Sequence, residues 1–257
     1  MSRPPAVGSG RLRLIIVAAG VLVIGLAIAL AGTHLTSGSP QAAVVAAAKV
    51  HHTQVAASSA APTIHDALFV GASYTAGLGA TPVSNGYAYD LGREPGWRTQ
   101  VDGVSGTGFL NPGPAGHQTF AERILRLPTS PHPDVVVFQG GRNDVNYPMA
   151  QLRAEAIATA DLTRKRFHGA QVVFLGPIPA RVPAPADQLA VASTLRQAAI
   201  DSKAIFIDPI EQSWITPDNE NGFIGSVPAH PDNQGYAYIA RRLLTDLNLL
   251  YPDRGRA

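Results

Sequence analysis

Cysteine is absent from this chain of 257 residues. Its absence excludes thiol nucleophiles, thiolate metal sites and disulfide cross-links together. A domain of this size can do without disulfides, because its apolar core is large enough to hold it. Acidic residues are missing from the first thirteen positions, where Arg3, Arg11 and Arg13 stand. A charge excess of one sign is missing from everything that follows. Without those three arginines the 20 basic residues fall to 17, against 18 acidic ones. The body is therefore near neutral, and nothing in its charge supports nucleic-acid binding. Low-complexity sequence is missing from the body as well, and with 46% hydrophobic residues the chain has the material for one domain with a sizeable core.

What the chain does have, immediately after its basic start, is an uncharged apolar run from Leu14 to Ala31. That is close to the roughly 20 residues that span a bilayer as a helix. By the positive-inside rule the preceding arginines stay in the cytoplasm and the remainder is exported. Ala29-Leu30-Ala31 has the small-x-small pattern of a signal peptidase site, but the run exceeds the usual signal core of about 7 to 15 residues. The expectation is an uncleaved membrane anchor over 14–32 behind a cytoplasmic tail over 1–13, the alternative being a long signal peptide and a secreted product. Thr33 to Pro62 is rich in Ala, Ser and Thr and poor in large apolar residues, so residues 33–63 read as an extracytoplasmic tether and the domain as 64–257.

Beyond the tether, apolar runs alternate with amphipathic stretches. "ALFVG", "WRTQVDGV", "DVVVFQGG", "QVVFLGPIP" and "AIFIDP" read as strands. The stretches Gly86 to Arg93, Thr119 to Leu127, Met149 to Phe167, Asp187 to Ala199 and Gln234 to Leu249 read as helices. Strict βα alternation with continuously apolar strands predicts a parallel sheet covered on both faces. The expected fold is a three-layer α/β/α sandwich, flavodoxin-like, around five parallel strands. In such sheets ligands sit outside the carboxyl ends of the strands, and there the chain places Ser73 after "ALFVG", Gly106 in "GVSGTGF", Asn143 in "GGRND" and, from a late loop, His230 in "VPAHPDNQGY".

Ser, Gly, Asn and His in this order resemble the four blocks of the SGNH hydrolase superfamily, also called the GDSL family. The likeness extends from about Phe69 to Leu249. Gly141-Arg142-Asn143-Asp144 directly after an apolar strand matches the family's GxND, and His230-Pro231 with Gly235-Tyr236 is similar to its last block. The resemblance implies an ester hydrolase with Ser73 as nucleophile and His230 as its base. The backbone N–H groups of Ser73 and Gly106, with the Asn143 amide, would form the oxyanion hole. Ester cleavage needs those three parts: a nucleophile, an acceptor for its proton and donors aimed at the developing oxyanion. No metal or organic cofactor is implied. The partners implied are an acylated small molecule or glycan of the cell envelope and, through the first helix, the membrane.

Two positions depart from the family. Ala72 stands where the D of GDS belongs, and Val227 stands where an aspartate normally precedes the histidine by three. Loss of the triad acid lowers kcat by about 10⁴-fold in a triad enzyme, so a replacement is expected. The candidates are a backbone carbonyl around Val227 or Pro228, which is preferred, a carboxylate of "TPDNENGF", or Asp232. Asp144 reads either as a plain turn carboxylate or as an acceptor that orients the loop. Arg142 reads as an exposed loop residue or as a binder of an anionic substrate group. Tyr74 reads as packing or cleft wall, and Trp97 and Trp214 as core or rim. His51, His52, His65, His117, His132 and His168 show no metal-ligand spacing. Two other functions fit the same residues: an O-acyltransferase, in which a sugar hydroxyl captures the acyl-enzyme, and a non-catalytic binding module that has lost its acid.

Overall fold

The computed structural model of the chain describes residues 63–252 apart from 115 and 117. The expected anchor, the tether with His51 and His52, and His117 lie outside the described residues. No helix among the described residues is long and apolar enough to cross a membrane.

The strands are β1 (His65–Gly71), β2 (Trp97–Gly103), β3 (Val135–Gln139), β4 (Gln171–Leu175) and β5 (Ile205–Ile207). They form one all-parallel sheet in the order β2-β1-β3-β4-β5. Between them run α1 (Tyr87–Leu91), α2 (Phe120–Arg126), α3 (Met149–Arg166) and α4 (Ala186–Ser202), and α5 (Asn233–Leu250) closes the fold.

Successive side chains of a strand point to opposite faces, and here both faces are apolar. Phe69, Val135, Val137, Val173 and Leu175 pack on one side against Leu91 of α1 and Tyr236, Ile239, Leu243 and Leu247 of α5. Their sequence neighbours Leu68, Val70, Val136, Phe138, Val172 and Phe174 pack on the other against α2, α3 and α4. The three layers and the five parallel strands are as the alternation predicts.

Helix boundaries differ where local chemistry sets the end. The first helix is only five residues long, because Gly86 is extended and the chain turns at Gly92 ahead of Pro95. The fourth continues past Ala199 to Ser202 and stops where Lys203 adopts a left-handed conformation at φ 57°. Because β1 is followed by β2 on one side and by β3 on the other, the strand order reverses at β1 and β3. A crevice at such a reversal is where open α/β sheets bind ligands.

Candidate active site

Ser73 leaves the carboxyl end of β1 in a tight turn in which Ala76 N–H bonds Ala72 O at 2.9 Å and Leu78 N–H bonds Ser73 O at 3.0 Å. The backbone of Gly71 is not left-handed. The requirement is close approach: a Cβ at 71 would lie 2.0 Å from Thr75 Oγ1 and 2.9 Å from Gln139 O. Thr75 is drawn over the glycine because its hydroxyl bonds the Tyr87 hydroxyl at 2.8 Å and Gln139 Oε1 at 3.2 Å. From α2, buried Arg123 donates Nη2 to Gly71 O at 3.0 Å and pairs with Asp102, fixing the strand end from beneath.

His230 arrives 157 positions later, and its Nε2 lies 2.8 Å from Ser73 Oγ. Its loop is shaped by an antiparallel bridge between Ile224 and Pro231, by Gly225 N–H on His230 O at 2.9 Å, and by Ala229 at φ 59°. His230 Nδ1 faces Pro228 O at 2.8 Å. A carbonyl only accepts, so Nδ1 carries the hydrogen, and Nε2 of the neutral ring is left with the lone pair that can take the serine proton. The backbone carbonyl thus occupies the place where Val227 withholds a carboxylate. Two of the other candidate carboxylates are held by backbone N–H groups instead. Asp232 caps α5 by accepting from Gly235 N–H at 2.9 Å, and Glu220, of the preceding loop, accepts from Val182 N–H at 2.8 Å.

Behind β3, residues 142–144 form a short 3-10 turn entered through Gly141 at φ 103°. Asn143 donates Nδ2 to Thr107 O at 2.8 Å, which leaves its second amide hydrogen to donate. Asp144 is fully buried and accepts the N–H groups of Phe109, Leu110 and Asn111, each at 3.0 Å. Burial raises its carboxyl above the usual range, and the three backbone donors pull against that rise. Of the two readings of Asp144, the arrangement matches the acceptor that orients a loop rather than the plain turn carboxylate: it is the peg on which the 109–111 segment hangs. Gly108 belongs to the same arrangement, since a Cβ there would lie 2.3 Å from Asp144 Oδ2. Replacing Asp144 by alanine leaves three buried N–H groups without acceptors. It is expected to cost about 3 kcal/mol or more of stability in urea unfolding, with Asp144→Asn recovering part of the loss.

One cavity of about 140 Å³ is lined by Ala72, Ser73, Tyr74, Gln139, Gly140, Arg142, Asn143 and His230. Gly106 is not among these residues. It turns at φ 80°, and the segment is tied to the site through the next residue, Thr107, whose carbonyl holds Asn143. Tyr74 is buried, donates its hydroxyl to Ala229 O at 2.8 Å and sets its ring 5.4 Å from the imidazole, so it is a wall of the cavity. Burial pushes its hydroxyl up to about 12, which keeps it a neutral donor. Arg142 is half-buried rather than exposed. Its Nη1 reaches the Tyr74 hydroxyl at 3.2 Å and Ala229 O at 3.3 Å, and its guanidinium lies 5.7 Å from the Tyr74 ring centre.

Gln139, Gly140 and Thr107 were not singled out from sequence. A glutamine ending the otherwise apolar "DVVVFQ" was the available signal for the first. Trp97 and Trp214 are core residues. His65 packs between the Trp97 and Tyr251 rings, and His132 against Phe167. Among the described residues no three His, Asp or Glu side chains converge as metal ligands do.

A model of the GDSL-like lipase/acylhydrolase family matches residues 69–238. A GDSL lipase of Mycobacterium tuberculosis is 29% identical over 133 residues, covering 51% of this chain and 57% of that protein. The match thus spans little more than half of that relative. Among solved structures, a family two carbohydrate esterase from Clostridium thermocellum in complex with cellohexaose has a TM-score of 0.60 at 18% identity, covering 74% of this chain and 65% of that one. Est24, a carbohydrate acetylesterase from Sinorhizobium meliloti, has a TM-score of 0.56 at 12% identity, covering 72% and 99%. Both share the fold.

Proposed function

The chain belongs to the GDSL-like lipase/acylhydrolase family, and from that premise we propose that it is a serine ester hydrolase working through Ser73 and His230. The observation that carries this reading is the 2.8 Å approach of His230 Nε2 to Ser73 Oγ, with the ring tautomer set by Pro228 O. Ser73 Oγ attacks the acyl carbonyl carbon while its proton passes to Nε2. The tetrahedral oxyanion is met by the Ser73 N–H and the free amide hydrogen of Asn143, with Gly106 N–H as the third expected donor. The imidazolium then protonates the departing alcohol, and water, deprotonated by the same nitrogen, releases the acyl group from Ser73.

Pro228 O orients the ring but brings no negative charge. The transition-state imidazolium is stabilised less than in a full triad, so this dyad is a slow hydrolase relative to triad enzymes. The cavity beside Ser73, about 140 Å³, lies well under the roughly 300 Å³ at which sites for drug-sized ligands begin. It suits a short acyl group. Esters on cell-envelope glycans or glycolipids are the substrate class we favour: the carbohydrate esterase folds support the glycan side, and the apolar run at 14–31 behind three arginines supports an anchored domain outside the cytoplasm.

A fluorophosphonate tests the site directly. Attack by Ser73 Oγ forms the O–P bond and expels fluoride, with the serine proton leaving through His230. Peptide mass spectrometry is expected to find one label, on Ser73. Labelling should slow on acidification, because a protonated imidazole has no lone pair to accept that proton. Absence of label, or label independent of pH, overturns the reading.

A further inference from the structure

Next to the catalytic cavity runs a larger groove, of about 400 Å³, lined by Arg142, Ala180, Arg181, Pro185, Gln188, Ile224 and Ala229. Arg142 borders both spaces, and the groove begins beside His230. Ala229, which directly precedes His230, and Arg142, which borders the catalytic cavity, are both walls of the groove. A groove that shares a wall with the cavity has room for the alcohol portion of an ester whose acyl group occupies the smaller space.

Its chemistry is cationic. Neither Arg142 nor Arg181 has a carboxylate within salt-bridge distance among the described residues. Arg142 spends only Nη1 on Tyr74 and Ala229. Asp187 accepts from Gln188 N–H and Glu220 from Val182 N–H, each at 2.8 Å, and neither carboxylate pairs with Arg142 or Arg181. Gln188, in the first turn of α4 and only 7% exposed, lines the same groove. Two guanidinium groups without a carboxylate partner among the described residues therefore meet around one groove.

We infer that this groove is an oxyanion subsite, and that the ester this protein cleaves carries a carboxylate or phosphate on its alcohol portion, held by Arg142 and Arg181. The inference deepens the hydrolase reading and rests on it. Arg181 is the specificity-determining residue in this scheme, and Arg142 links the subsite to the cavity.

Three acetates of para-substituted phenols test it: 4-acetoxybenzamide, which is neutral, its isostere 4-acetoxybenzoate, and 4-acetoxyphenyl phosphate. The wild-type full chain is expected to favour at least one anionic ester over the amide by about tenfold to a hundredfold in kcat/KM, the value of a charge-assisted hydrogen bond. The faster of the two anions identifies carboxylate or phosphate as the source. In Arg181→Gln the ratio should fall towards one, the loss appearing in KM, and 0.5 M salt should compress it in the wild type. Arg181 is exposed, so folding is retained, which a thermal melt checks. A wild-type ratio of one or below, or a preference that survives both Arg181→Gln and Arg142→Gln, overturns the subsite while leaving the hydrolase intact. If no ester, the amide included, is cleaved, the hydrolase reading fails. Calorimetry with 4-hydroxybenzoate and 4-hydroxyphenyl phosphate then decides the subsite separately: binding lost in Arg181→Gln supports it, and no binding to the wild type overturns it.

Discussion

Ser73→Ala is expected to reduce hydrolysis of a short-chain 4-nitrophenyl ester by at least about 10³-fold in kcat, with the fold unchanged. Removing Oγ takes away the atom that forms the acyl-enzyme and the only partner of His230 Nε2 among the described residues. No neighbouring side chain replaces it. Tyr74, the nearest hydroxyl in sequence, is held by Ala229 O and kept protonated by burial, and cysteine is absent from the chain. The residual rate should equal that supplied by the oxyanion donors and binding alone. Ser73 lies at the surface of the cavity and contributes little to the core, so the melting temperature of the variant should match the wild type. Equal rates in the two proteins would instead identify the domain as a non-catalytic binding module on the same fold.

Asn143→Ala is expected to lower kcat by about 10² to 10³, or about 2.7–4 kcal/mol of transition-state stabilisation, with KM nearly constant. The split follows from charge. The ester carbonyl carries little charge when it binds and nearly a full negative charge at the tetrahedral stage, so a donor aimed there acts mainly on the second. Asn143 is held in place on both sides: its amide bonds Thr107 O at 2.8 Å, and its own carbonyl accepts Asn111 Nδ2 at 2.9 Å. The alanine variant also leaves Thr107 O without that donor, so a melt must accompany the kinetics. Asn143→Asp is the sharper control. It keeps the shape, removes the donor and places an anion beside the oxyanion, and it should be slower still. A KM effect with unchanged kcat would place Asn143 in ground-state binding instead.

Asp144 and Asn143 are adjacent in sequence but act on different levels. The amide serves the cavity, and the carboxylate ties the 109–111 segment that brings Thr107 within reach of that amide. Losing Asp144 should therefore lower both stability and turnover, whereas losing Asn143 should fall mainly on turnover.

The sheet was legible because its strands are buried on both faces. A run such as "DVVVFQ" has no polar face to offer solvent, and only a covered parallel strand accommodates it. The GRND turn after β3 was legible for the same reason: the apolar run stops there and polar residues crowd a strand end. Asp144 was left between two readings because a carboxylate beside a turn looks alike whether solvent or backbone N–H groups surround it, and the donors come from more than thirty residues away. Gly106 was expected as an oxyanion donor; what only the fold shows is that the next residue, Thr107, presents its carbonyl to Asn143.

Periodicity and the spacing of small residues, which are local properties, determined from sequence alone the three layers, the parallel strands and the set of side chains at their carboxyl ends. Tertiary structure decided everything that depends on the reach of one segment to another. It set Nε2 of His230 2.8 Å from Ser73, gave its Nδ1 to Pro228 O in place of a carboxylate, buried Asp144, and joined Arg142 to Arg181 and Gln188 in one groove. A hydrogen bond depends on tenths of an ångström and on direction, and neither is encoded in the identity of residues 157 positions apart until the sheet between them has formed.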